Sequence, residues 1–62
     1  MDMKDVEHSG RLARELGHSL MQNPYFRQEH MPRATGESFR EWQDKVHHWE
    51  IGWYSAQQAQ TG

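Results

Sequence analysis

Four arginines, Arg11, Arg14, Arg27 and Arg33, fall in an interval where only Glu15 and Glu29 oppose them. A local excess of guanidinium groups holds phosphate oxygens well, through charge and through paired N–H donors. His8, His18 and His30 lie in the same part of the chain. They would add positive charge as pH falls toward the usual histidine pKa of about 6.5. The chain as a whole points the other way: its net charge is −2 with histidine neutral. A strongly basic nucleic-acid binder is therefore not indicated, since counterion release needs clustered lysines and arginines. A solvated, mixed-charge surface is the plain alternative.

Other chemistries are less well supported. Of the five histidines, His47 and His48 are adjacent and would point about 100° apart on a helix, so they cannot chelate together. No histidine pair has the i, i+4 spacing of a helical metal site, and there is no cysteine. No metal or other cofactor is expected. The chain has no serine–histidine–acid order that would support nucleophilic catalysis. Its glycines lack the glycine-lysine-serine/threonine run of a phosphate loop. The expectation is a protein that is not an enzyme.

The 62 residues make one domain, 1–62. A chain this short buries only about 60% of the surface it exposes when unfolded. Large apolar side chains are few, so the three tryptophans carry an outsized share of any core. No run of about 20 apolar residues is present to span a membrane. The opening Met1-Asp2-Met3-Lys4-Asp5 lacks the basic-then-apolar order of a secretory signal, and a cytoplasmic location is the resulting expectation.

Periodicity predicts an all-α fold, an antiparallel two-helix hairpin with a long proline-containing loop. A first helix over about 5–21, capped by Asp5, is suggested by Val6, Ala13, Leu16 and Leu20 at spacings of seven, three and four. Gly10, Ala13 and Gly17 form a small-residue stripe on one face, where a helix or a large ring can approach. Alternatively, Gly17 simply ends the helix. Asn23-Pro24 is a stop, and Tyr25 and Phe26 after it can fold back as a hydrophobic plug. Residues 22–36 read as loop. A second helix over about 37–58 follows, with Thr35 or Ser38 as cap. Phe39, Trp42, Val46, Trp49, Trp53 and Ala56 form a heptad seam along it. Glu41 and Lys45 are a supporting i, i+4 pair. The polar tail 59–62 should fray. The longer second helix would leave Phe39 and Trp42 overhanging, for the loop or another chain to cover.

Gly10, Gly17 and Asn23-Pro24-Tyr25, followed after a gap by Trp49-x-x-Gly52-Trp53-x-x-Ala56, resemble the ribosome modulation factor family. That family includes small relatives linked to fluoroquinolone resistance. Residues 10–25 and 49–56 carry the match. The interval from Tyr25 to Trp49 is longer than the family's usual connection, and the chain is less basic. The resemblance implies a compact helical hairpin built on Gly10, Ala13, Gly17, Asn23, Pro24, Trp49, Gly52, Trp53 and Ala56. It also implies a regulator that binds the small ribosomal subunit and its 16S rRNA and promotes hibernating, inactive ribosomes under stress. Arg11, Arg14, Arg27 and Arg33 would then be phosphate contacts, and Tyr25 a stacking ring. The competing expectation is a protein-binding adaptor or homodimer that uses the Phe39, Trp42 and Val46 seam.

Overall fold

In the computed structural model, which describes residues 3–61, every regular element is helical. Helix α1 spans Met3–Glu15, α2 is a single turn at Pro32–Thr35, and α3 spans Phe39–Thr61. Helices α1 and α3 pack antiparallel and dominate a body measuring 40 × 19 × 14 Å. This is the expected two-helix hairpin, with different helix boundaries.

The first helix starts two residues before Asp5, which instead lies inside the first turn, where a carboxylate favours the positive end of the helix dipole. It also ends earlier, at Glu15. Gly17 adopts φ +85°, its N–H donates to the Arg14 carbonyl at 3.0 Å, and the His18 N–H donates to the Ala13 carbonyl at 2.9 Å. These paired bonds around a left-handed glycine are a Schellman stop. Gly17 is therefore the terminator, exposed and outside the packed stripe. Leu16 leaves the expected core face with it, 74% exposed, while Leu20 still packs against the core from the next turn, half-buried.

Residues 19–36 are a staircase of short turns rather than an open loop. Turns of 3-10 type cover Leu20–Gln22, Pro24–Phe26 and Gln28–His30, and α2 follows them. Ser19, Asn23, Arg27 and Met31, four residues apart, are each extended or nearly so and start the next turn. Gly36, at φ +79°, ends α2.

The cap of α3 is Ser38, whose Oγ accepts from the Glu41 N–H at 3.1 Å. The Thr35 hydroxyl caps no helix; it bonds the Met31 carbonyl and the Glu37 N–H locally. Lys45 pairs with Glu37 at 2.7 Å instead of with Glu41, tying the entry of α3 to its second turn. The Glu37 hydrogen bond raises the Lys45 pKa, against a smaller opposing effect of desolvation. At its other end α3 continues through 59–61, positions expected to fray, while Gly62 lies outside the described residues.

The core is small. Val6, Gly10 and Ala13 of α1 face Trp49, Gly52 and Ala56 of α3, with Met3, Leu20, Tyr25 and Trp53 packed around them. Two glycines set the helix separation. A Cβ on Gly10 would overlap the Trp49 carbonyl oxygen and lie 2.9 Å from its carbon. A Cβ on Gly52 would overlap the Glu7 carbonyl oxygen and lie 2.6 Å from its carbon. Each glycine thus receives the other helix's backbone where any side chain would stand.

Candidate functional site

The motif residues converge on the hairpin's joints. Trp49 is 1% exposed and fills the space between α1 and the turns, and Ala56 is buried near the other end of the contact. Side chains on a helix lean toward its N-terminus. The ring of Trp53 therefore reaches back to the end of α1, where its indole N–H donates to the His18 carbonyl at 2.8 Å. The Arg14 guanidinium lies 5.4 Å from the centre of the same ring. Beside the glycine crossing, His48 Nδ1 and Glu7 Oε2 are 2.6 Å apart and link the two helices.

Asn23 is the buried polar joint, 2% exposed. Its Oδ1 accepts from the Tyr25 N–H at 3.0 Å, and its Nδ2 donates to the Val46 carbonyl at 3.4 Å. The Tyr25 carbonyl accepts from the Trp42 indole N–H at 2.7 Å. Proline at the next position suits the turn, because its missing N–H would have no partner there. Asn23→Ala removes both side-chain bonds and leaves the Tyr25 N–H short of an acceptor. It should lower stability by about 1–2 kcal/mol in a urea titration, most of it from the lost cap. An unchanged midpoint would mean the turn holds without the amide.

The aromatic seam divides accordingly. Trp49 and Ala56 meet α1, and Trp53 is half-buried against its end. Trp42 and Val46 are half-buried at the 23–26 turn, while Phe39 stays 64% exposed with its ring against Trp42 at 5.4 Å. A straight helix drifts about 20° per heptad from a 3.5-residue repeat. Over this length the drift carries Phe39 off the common face, and α1 is too short to reach it.

The arginines do not form one patch. Arg11 lies on the flank of α1 that faces Ile51 and Ser55, with Lys4, Glu7 and His8 nearby. Its pairing with Glu15, at 3.8 Å, is exposed and weak. Arg14 is half-buried over Trp53, and its Nε has no partner. Arg27 lies across the opposite flank, by Leu12 and Leu16, 3.9 Å from Glu29. Arg33 is exposed beside Gln28, Met31 and Ala34. Tyr25 is half-buried, its ring edge-on to His30 at 5.8 Å.

The groove between Leu12, Leu16 and the 24–27 segment is not indicated by the sequence, whose helical spacing sets Leu16 with Val6 and Ala13. The only available signal was Gly17 read as a stop, which frees Leu16 from the packed face. Trp49 lines this groove, and its indole nitrogen, fully buried, has no hydrogen-bond partner. An unpaired buried N–H costs about 1–3 kcal/mol. Among the described residues no group of three or more His, Asp or Glu side chains could hold a metal, and no helix is long and apolar enough to cross a membrane. Comparison with family models, curated proteins and solved structures gives no match.

Proposed function

We propose that this chain is a non-enzymatic, ribosome-associated regulator similar in kind to ribosome modulation factor. It would act in the cytoplasm, binding the small subunit through rRNA and holding ribosomes inactive. The observation that carries the reading is that the residues behind the resemblance, Gly17 apart, meet in one structural unit. Gly10 and Gly52 form the crossing, Trp49 and Ala56 are buried in it, and Asn23 fixes the joint. The support is of fold and motif, and fold alone does not specify function. The motif is consumed by the scaffold, so contact with RNA falls to exposed cations: Arg11, Arg27 and Arg33. Arg14, engaged with Trp53, is better placed to hold the hairpin than to meet a phosphate.

The adaptor reading keeps one observation, the exposed ring of Phe39. Trp42 and Val46, its intended companions, are already bonded to the chain's own turn through the Trp42 indole and the Val46 carbonyl.

Ribosome gradients at two salt concentrations test the choice. The chain should co-sediment with small subunits at low salt and dissociate as salt rises. Arg11→Glu combined with Arg33→Glu should abolish association with the helical circular dichroism unchanged. Phe39→Ser should leave association near the parent level. Absence of co-sedimentation at low salt, or dependence on Phe39 in place of the arginines, would remove the ribosomal reading.

A further inference from the structure

Independently of the ribosomal reading, we propose that the groove between α1 and the 24–27 segment is a docking site for an apolar peptide segment carrying carboxylates. Leu12 of α1 and Leu16, just past its end, form its apolar floor at 44% and 74% exposure. For a core this small, leaving two leucines in water while Ala13 is packed is uneconomical unless something covers them. Pro24 and Arg27 form the facing edge, and Trp49 part of the wall. The groove holds about 270 Å³. That space suits the insertion of one or two side chains.

Two observations define the chemistry of the occupant. Trp49 lines the groove, and its buried indole N–H has no acceptor in the protein; a partner's carbonyl or carboxylate oxygen that reaches it would supply one. The other two indoles are already bonded, to the Tyr25 and His18 carbonyls. The second observation is charge. Among the described residues the groove lining contains no carboxylate, and its formal cation is Arg27, in a chain of net charge −2. Glu29, the acidic residue paired with Arg27, is 3.9 Å away with both side chains about 70% exposed, an arrangement a better-placed carboxylate displaces at little cost. Exposed leucines favour a peptide over a nucleic acid, because single-stranded RNA is held mainly on aromatic or guanidinium planes.

The probe is a short amphipathic peptide with leucine on one face and glutamate on the other, titrated into nitrogen-15-labelled protein. Its control replaces each glutamate with lysine. The Trp49 indole resonance should move on addition of the glutamate peptide, with those of Trp42 and Trp53 as internal references. Affinity for the glutamate peptide should exceed that for the lysine peptide about threefold to fivefold, the scale of one exposed ion pair. The protein's net negative charge favours the lysine peptide, so this sign can come only from a local contact. Leu16→Ser, at an exposed position, should weaken binding about tenfold, and Arg27→Glu should reverse the peptide preference. The proposal is overturned by a preference for the lysine peptide, by binding that leaves the Trp49 resonance in place, by no binding of either peptide, or by a uridine oligomer being the only probe that moves it.

Discussion

Gly10→Ala and Gly52→Ala are each expected to abolish cooperative unfolding, although alanine is the better helix former by about 1 kcal/mol. The added methyl at position 10 would coincide with the Trp49 carbonyl and stand 3.2 Å from the Trp53 nitrogen. At position 52 it would coincide with the Glu7 carbonyl and stand 3.0 Å from the Glu7 Cα. Backbone atoms inside a helix cannot turn aside as the end of a side chain can, so the helices must separate. Overpacking a core costs typically about 1–3 kcal/mol when side chains can adjust. Separation costs more, because it also uncovers Val6 and Trp49. A domain of this size has only about 3–5 kcal/mol to lose. Urea titration followed by circular dichroism checks the result, with Gly17 as the contrast. A Cβ there meets nothing within 4 Å, and the cost of Gly17→Ala is conformational, about 1–2 kcal/mol for a left-handed residue. Gly17→Asn should recover part of it. If Gly10→Ala melts like the parent, the helices do not cross backbone to backbone.

The contrast between these glycines marks how far the sequence was legible. Gly52 beside large rings pointed to a close crossing, because small residues at helical spacing report a face. Gly10 belongs to the same crossing. Gly17 has the same spacing but the opposite role, and the two roles differ only in φ, which residue identity does not encode for glycine. The burial of Trp49 and Ala56 was legible from the seam. The exposure of Phe39 was not, since it depends on where α1 stops. Nor was the staircase over residues 19–36, whose steps rest on i→i+3 backbone bonds between residues of no strong preference. The exceptions are Asn23-Pro24, a readable cap and start, Pro32 at the start of α2, and Ser19, whose N–H donates to the Gln22 side chain. The pairing of Lys45 with Glu37, and of Glu7 with His48, follows from tertiary approach and has no local signature. On the candidate site, the arginines were visible as residues but their division between two flanks of α1 was not. The phase of α1, set by its buried side, places Arg11, whereas the course of the turns after Asn23 places Arg27.

The tryptophans should rank by burial, with Trp49→Ala far more damaging than Trp53→Ala. Truncating a fully buried ring costs about 3–5 kcal/mol, through lost transfer energy and the cavity left behind. Trp49, at 1% exposure, is in contact with both helices and the turns, so little can collapse into its place. That loss matches the whole stability of the domain, and the expected product is an unfolded chain. Trp53 lies at the end of α1, half-buried, with one hydrogen bond to the His18 carbonyl and the Arg14 guanidinium over its ring. Removing it should cost about 1–3 kcal/mol for the bond and partial burial together, leaving a folded but less stable protein. Trp49→Phe separates two contributions within the core. It gives up part of the ring but also removes the indole N–H that lacks an acceptor. Relief of that unpaired donor, worth about 1–3 kcal/mol, offsets much of the lost packing, so the phenylalanine variant should stay folded where the alanine variant does not. Thermal melts of the three variants decide the ranking. If Trp53→Ala proves as damaging as Trp49→Ala, the core is centred nearer the end of α1 than at the glycine crossing.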